Sequence, residues 1–153
     1  MSDRIRWGIL GTGKIAHQLA AALRRLPEAD LLAAGSRSAE SAARFANEFG
    51  ISRCYGSYAE LVSDPEVEVV YVATPHSCHA ENSRLALDAG KSVFCEKPFT
   101  INPAQAREVI RFARERKLFL MFDGVVSGSR HDSVRGPTDL PVDEVDSFKR
   151  RGA

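Results

Sequence analysis

The stretch that decides the fold is GTGKIA at residues 11–16, which follows the apolar run IRWGIL at residues 5–10 and opens an alanine-rich segment. A strand, a glycine turn and a helix therefore occur in that order, which is typical of the phosphate-binding start of a dinucleotide fold. Gly11 permits a tight turn, Gly13 lets the backbone approach a pyrophosphate, and the small Ala16 lets helix and strand pack closely. A strand-helix turn that binds nothing is the alternative interpretation.

Strands and helices continue to alternate along the rest of the chain. Apolar and β-branched runs predict six strands, at residues 5–10, 30–35, 53–56, 67–73, 92–95 and 118–122. Helical spacing and capping residues predict helices at residues 15–26, 38–49, 58–62, 80–89 and 102–116. The expected fold class is α/β, with a Rossmann doubly wound parallel sheet of about six strands in three α/β/α layers.

The segment that follows residue 123 differs in character from the rest of the chain. Residues 127–139 are mostly polar and show no hydrophobic period. We therefore expect an NAD(P)-binding Rossmann domain at residues 1–123 and a disordered polar tail at residues 124–153. The alternative is an ordered strap across the domain surface, and its apolar anchors would be Leu140, Val142, Val145 and Phe148.

Composition limits the class of protein. The 153 residues have room for one domain, and 21 Lys and Arg against 20 Asp and Glu leave a net charge of +1. That balance favours neither nucleic acid nor a membrane surface as a partner. No apolar stretch approaches the roughly 20 residues of a membrane span, so we expect a cytoplasmic protein. The cysteines Cys54, Cys78 and Cys95 form no paired motif, so we expect reduced thiols used in packing.

The segment GSRS at residues 35–38 ends the second predicted strand, where dinucleotide folds often carry a carboxylate that binds the ribose 2′-hydroxyl. A carboxylate would repel a 2′-phosphate, whereas the Arg37 guanidinium can pair with it and the Ser36 hydroxyl can donate to it. The sequence therefore predicts NADP(H) in preference to NAD(H). Alternatively, Arg37 is a solvated charge or stacks on the adenine.

Two histidines follow the fourth predicted strand, in the segment TPHSCH at residues 74–79. Ligands of open parallel sheets lie beyond the carboxyl ends of the strands, near the point where strand order reverses. Thr74, Pro75, His76 and His79 should therefore border the nicotinamide end. A helix-capping or surface role is the alternative for each histidine. A metal site that includes Cys78 is disfavoured, because no carboxylate or further sulfur stands at a suitable spacing.

Glu96, Lys97 and Pro98 end the fifth predicted strand and bring an ammonium group to the same rim. A lysine there can hold a substrate hydroxyl and, if its pKa is lowered, relay the proton of that hydroxyl. A salt bridge from Lys97 to Glu96 or to another local acid is the alternative. A cis peptide bond is possible at Pro98, which lies in a sharp exit from the strand.

Together, the segments at residues 11–16, 35–38, 73–79 and 95–99 resemble the Gfo/Idh/MocA oxidoreductases, within them the branch of dihydrodiol and D-xylose 1-dehydrogenases. The resemblance implies NADP-dependent hydride transfer on a sugar or trans-dihydrodiol, with Lys97 as the catalytic lysine and Arg37 on the 2′-phosphate. The motifs and the resemblance predict cofactor contacts at Gly11, Thr12, Gly13, Lys14, Ile15, Ser36, Arg37, Thr74, Pro75, His76, His79, Glu96 and Lys97.

Beyond residue 121 the sequence departs from the pattern of this family. Members usually continue into a second α/β domain that covers the active site, adds substrate-binding groups and builds the oligomer interface, whereas this sequence continues with MFDGVV at residues 121–126. We therefore expect a truncation or frame change near Phe122 and a chain that binds nucleotide with little or no turnover. The alternatives are a non-catalytic nucleotide-binding module, a redox-sensing or partner-binding fragment, and a relic without a role.

Overall fold

The computed structural model describes residues 4–97, 103–122 and the strand at residues 125–127. The strands are β1 Ile5–Leu10, β2 Ala29–Gly35, β3 Arg53–Tyr55, β4 Val69–Val72, β5 Ser92–Cys95, β6 Leu120–Phe122 and β7 Val125–Ser127. The helices are α1 Lys14–Leu23, α2 Ala39–Phe49, α3 Tyr58–Val62, α4 His79–Asp88 and α5 Pro103–Glu115, and a 3₁₀ turn, His76–Cys78, precedes α4.

The strands form one sheet in the order β3-β2-β1-β4-β5-β6-β7. The first six strands are parallel, and the strand order reverses between β1 and β4. This arrangement confirms the predicted doubly wound Rossmann fold. The antiparallel strand β7 is an addition that the sequence does not predict, because its pairing with β6 depends on the neighbouring strand and not on a pattern of its own.

Helices cover both faces of the sheet, because successive side chains of each strand point to opposite faces. In β1, Ile9 packs with α1 and α2, whereas the next residue, Leu10, belongs to the cluster of α3, α4 and α5. Both side chains are fully buried. Ala16 of α1 is also fully buried beside Ile9, as the close helix-strand packing requires.

Local capping chemistry determines where two of the helices begin and end. The Ser38 hydroxyl accepts a hydrogen bond from the Ser41 N–H at 3.2 Å, and Gly50 ends α2 in a left-handed conformation with φ of 65°, as predicted. Helix α1 ends at Leu23, three residues before the predicted end. Pro27 lies four residues after Leu23, and in a continued helix its ring would clash with the Leu23 carbonyl oxygen.

A buried carboxylate connects β3 to the loop that follows α3. Asp64 accepts hydrogen bonds from Arg53 Nη1 and the Tyr55 hydroxyl, both at 2.8 Å, and its side chain is 1% exposed. The Lys91 ammonium donates to the Asp64 carbonyl oxygen at 2.6 Å. Burial raises the pKa of Asp64, but the hydrogen bonds from Arg53 and Tyr55 outweigh burial and hold that pKa below its usual value.

Some predictions fall on residues outside the described ranges. These are Pro98 with its possible cis peptide bond, the helix start at Asn102, and the polar tail apart from residues 125–127. The domain boundary at residue 123 and the character of the tail therefore stay predictions.

Candidate functional site

The carboxyl ends of β1, β2, β4 and β5 form one rim of the sheet, and the predicted site residues follow directly after these strands. Gly11 follows β1, Ser36 follows β2, Ala73 follows β4 and Glu96 follows β5. Backbone N–H groups extend the ladder past the strand ends: Gly11 donates to the last carbonyl of β2 at 2.9 Å, and Ala73 to that of β1 at 2.9 Å. Parallel pairing thus brings the four motifs together at the point where strand order reverses.

The two glycines of the turn differ in what surrounds them. Gly11 has φ of 95°, and a Cβ there would lie 2.7 Å from the Ala73 carbonyl oxygen, so this position requires glycine for both conformation and space. Gly13 has a backbone conformation open to any residue, and no described atom lies within 4 Å of where its Cβ would be. The open space at Gly13 fits a group that approaches the backbone closely, such as a pyrophosphate.

The start of α1 differs from the starts of α2 and α3. Ser38 and Ser57 cap α2 and α3 through their hydroxyl groups, and an acidic residue lies in the first turn of each. Helix α1 begins after Gly13, which has no side chain, and its first turn carries Lys14 and no acidic residue. Its first N–H groups and its positive dipole end therefore remain available to an anion. Lys14 and Ile15 are exposed beside them, and Thr12 is half-buried.

At the end of β2, Ser36 is buried and Arg37 is exposed. The Ser36 hydroxyl accepts a hydrogen bond from the Ser38 N–H at 3.3 Å, which shapes the entry into α2. The Tyr58 phenol lies beside Arg37 and Cys78. Burial raises the pKa of Tyr58, and the neighbouring Arg37 guanidinium opposes that rise. Sequence reasoning missed Tyr58 as a site residue; the available signal was an aromatic residue directly after the capping Ser57.

Thr74, at the end of β4, is held by two side chains of α4. Its carbonyl oxygen lies 2.7 Å from His79 Nε2, and its hydroxyl accepts a hydrogen bond from Asn82 Nδ2 at 2.8 Å. All three residues are buried. In this structure His79 therefore supports the rim from within, while His76 and Pro75 are exposed at the start of the 3₁₀ turn. Sequence reasoning missed Asn82, which lies one helical turn after His79.

Glu96 and Lys97 complete the rim after β5. The Tyr71 hydroxyl donates to Glu96 Oε1 at 2.8 Å, and the Lys97 backbone N–H donates to Glu96 Oε2 at 3.1 Å. Tyr71 is buried, and this burial raises its pKa far above the usual value, with the hydrogen bond to Glu96 adding to the rise. The carboxylate of Glu96 is thus anchored on both oxygens, while the Lys97 side chain is exposed to solvent.

The three cysteines have free thiols, and they differ in environment. Cys95 is buried, and burial raises the pKa of its thiol to about 12, so it is a packing residue as predicted. Cys54 is exposed on β3, the edge strand of the described sheet, so the prediction that it is a packing residue is wrong. Cys78 is half-buried near Tyr58.

Residues 4–97, 103–122 and 125–127 contain no group of three or more His, Cys, Asp or Glu side chains that could hold a metal ion. Within the same part of the chain, every helix is too short or too polar to cross a membrane.

A glycine turn at the point where strand order reverses, an anion-ready helix start and a rim of polar residues define a dinucleotide-binding domain. The family model described as "Oxidoreductase family, NAD-binding Rossmann fold" matches residues 5–123. The chain belongs to this family, the Gfo/Idh/MocA oxidoreductases, as the motifs predict.

Relatives and solved structures agree with this assignment. The chain is 44% identical to mouse trans-1,2-dihydrobenzene-1,2-diol dehydrogenase, over 76% of this chain and 36% of the relative. It is 45% identical to D-xylose 1-dehydrogenase (NADP(+)) from Hypocrea jecorina, over 76% of this chain and 33% of the relative. The structure of KijD10, a 3-ketoreductase from Actinomadura kijaniata in complex with TDP-benzene and NADP, superposes with a TM-score of 0.75 at 38% identity, covering 79% and 38% of the two chains. The chain thus spans about a third of the length of these relatives.

Proposed function

We propose that this chain binds NADP(H) and supplies the nucleotide-binding part of a dehydrogenase that acts on a hydroxyl group of a sugar or trans-dihydrodiol. The observation that carries the proposal is the start of α1, where uncapped N–H groups, Lys14 and open space at Gly13 meet beside the end of β4. A dinucleotide pyrophosphate has the charge and size that this arrangement accepts. The assigned family is itself described as NAD-binding.

The preference for NADP(H) rests on the residues that follow β2. Arg37 is exposed, so its guanidinium is available to a 2′-phosphate, and the buried Ser36 and the phenol of Tyr58 lie next to it. The nearest acidic residue along the chain, Glu40, is engaged by Arg44 at 2.9 Å. D-xylose 1-dehydrogenase (NADP(+)) from Hypocrea jecorina and the NADP complex of KijD10 support this assignment.

For the chemistry, we assign Lys97 to the substrate hydroxyl. When bound, the nicotinamide ring would exchange a hydride with the carbon that bears this hydroxyl. Lys97 follows β5, the strand that pairs with β4, and its side chain is exposed to solvent. The backbone N–H of Lys97 is held by the anchored carboxylate of Glu96. Lys97 would hold the hydroxyl and relay its proton. The exposed Pro75 and His76 would line the same end of the cofactor with Thr74, which the buried His79 supports.

Calorimetric titration of the purified chain with NADPH and with NADH tests the proposal. We expect NADPH to bind more tightly than NADH and Arg37→Glu to abolish this preference, because the substitution replaces an attraction with a repulsion. Arg111→Glu is the matched control, since it reverses a charge on the exposed face of α5. The absence of binding by either nucleotide to folded protein would refute the proposal.

Turnover is a separate question from binding. A hydride step needs a substrate held over the nicotinamide and shielded from water. Absorbance at the band of the reduced cofactor, with a panel of aldoses and diols, measures it directly. Sustained turnover would support a dehydrogenase, whereas binding without turnover would favour a nucleotide-binding module.

A further inference from the structure

His17 lies in the second turn of α1, one turn after the glycine turn, and neither the motifs nor the family assignment gives it a role. Its ring contacts groups on two helices. Nδ1 lies 2.7 Å from the Gly13 carbonyl oxygen, and Nε2 lies 3.1 Å from Glu48 Oε2 of α2. The backbone N–H of His17 also donates to the Gly13 carbonyl at 3.1 Å. One residue therefore makes two contacts with the carbonyl at the start of the proposed pyrophosphate site.

Two aromatic rings of α2 hold the imidazole in place. Phe45 and Phe49 meet the His17 ring edge-on, with centroids 4.9 Å and 5.4 Å away. Phe45 is buried in the core, so the core fixes the position of this ring. Glu48 lies on the same surface of α2, and the His17 side chain remains 38% exposed. The ring is thus oriented by packing as well as by its hydrogen bonds.

The two ring contacts differ in what they require of a neutral and of a protonated imidazole. A carbonyl oxygen and a carboxylate oxygen are both acceptors, so each ring nitrogen must donate to make a hydrogen bond. A neutral imidazole has one N–H and would turn a lone pair toward the other oxygen. Only the imidazolium can donate to both oxygens at the same time. Glu48 is the titratable group among the described residues that these contacts place against the ring.

We propose that His17 is a positioning residue for dinucleotide binding: its imidazolium joins the Gly13 carbonyl to Glu48, and pyrophosphate binding is coupled to retention of that proton. The inference rests on the proposed function. The positive end of the α1 dipole and Lys14 already lie close to this turn, so a further cation there is stabilised when an anion binds. Loss of the proton removes one contact from the turn and one positive charge from beside the anion.

The chain offers matched variants for each contact. His17→Asn places an amide donor near the position of Nδ1, so it keeps the contact with Gly13 and loses Glu48. His17→Gln places the amide near the position of Nε2, so it keeps Glu48 and loses Gly13. Glu48→Gln keeps an acceptor for Nε2 but removes the negative charge next to the ring. Thermal melts of each variant show whether the domain remains folded, and the Asn and Gln variants preserve the test if His17→Ala does not fold.

The measurement is the Kd for NADPH and for NADH from about pH 5 to about pH 8, the range in which histidine changes charge. NADH is included because the 2′-phosphate of NADPH titrates in the same range. We expect the affinity of wild type for both nucleotides to weaken as pH rises. The slope of affinity against pH should be smaller in Glu48→Gln. In His17→Asn the affinity for NADH should not change with pH, and the affinity for NADPH should change only through its 2′-phosphate. Near the acidic end, His17→Gln should bind roughly three- to tenfold more weakly than wild type, as expected for one lost hydrogen bond in the turn.

The outcomes separate this inference from the proposed function. Wild type that binds neither nucleotide would refute the proposed function itself. Wild type that binds NADPH, with a pH profile and Kd unchanged in folded His17→Asn and His17→Gln, would refute the role of His17 and leave nucleotide binding intact. A uniform loss of affinity in all variants, without a change of slope, would contradict the coupling to a proton.

Discussion

Tyr71 is buried in the central strand β4, and its hydroxyl donates a hydrogen bond to Glu96 Oε1 at 2.8 Å. Glu96 directly follows the neighbouring strand β5. Glu96 in turn accepts from the backbone N–H of Lys97. A core residue is therefore connected, through Glu96, to the backbone of the proposed catalytic lysine. The ring of Tyr71 also packs on Phe94 of β5, with centroids 5.2 Å apart. The site residue Glu96 is therefore supported by side chains of two strands of the sheet.

Replacement of Tyr71 by Phe removes the donor and keeps the ring. We expect a loss of about 1–2 kcal/mol in the free energy of unfolding at pH 7, measured with urea, since one hydrogen bond to a partly buried carboxylate is lost. Tyr58→Phe removes a more exposed phenol and should cost less. Equal costs for the two variants would contradict an anchoring role of Tyr71.

The same phenol predicts a loss of stability in alkali. Its pKa is raised in the folded state, so its contribution is fully present below the unfolded value of about 10 and is lost as pH rises above it. The free energy of unfolding should therefore fall more steeply above about pH 10 in wild type than in Tyr71→Phe. Parallel pH profiles in urea titrations would contradict this prediction.

Gly11→Ala should destabilise the domain by about 2–5 kcal/mol, because φ of 95° strains an L-residue and the new Cβ would lie 2.7 Å from a backbone oxygen. Gly50→Ala is the matched control, with φ of 65° and open space around the Cβ, and should cost about 1 kcal/mol. Urea denaturation measures both. Similar losses would show that space at Gly11 is unimportant.

Asp64→Asn should cost about 1–3 kcal/mol, because Arg53 and Tyr55 lose a buried, charged acceptor. Glu66→Gln, which changes an exposed carboxylate paired with the same Arg53, should change stability by less than about 1 kcal/mol. The lowered pKa of Asp64 means that its contribution is present above the unfolded value of about 4 and is lost as pH falls through the folded value. Acid titration of wild type and Asp64→Asn checks the sign.

Lys97→Ala should leave the Kd for NADPH nearly unchanged and remove any turnover that wild type shows, because its ammonium is assigned to the substrate hydroxyl. Lys14→Ala, the same substitution in the first turn of α1, should weaken NADPH binding roughly two- to fivefold through lost attraction to the pyrophosphate. A large loss of affinity in Lys97→Ala would make Lys97 a binding residue instead.

The sequence by itself determined the order of strands and helices, the glycine turn and the strand ends at which the site residues lie. These features depend on local chemistry: side-chain period, the capping Ser38, the terminating Gly50 and the conformational freedom of Gly11. Parallel pairing then follows from the alternation of strands and helices, which is why the four motifs could be expected on one rim.

Tertiary structure alone decided which side chains support those motifs. Tyr71 reaches Glu96, Asn82 reaches Thr74, and His17 reaches Glu48 across separations of 25, 8 and 31 residues along the chain. The strand β7 likewise depends on its partner β6. No periodicity or propensity encodes such contacts, because they arise from the distance and angle at which packed elements meet.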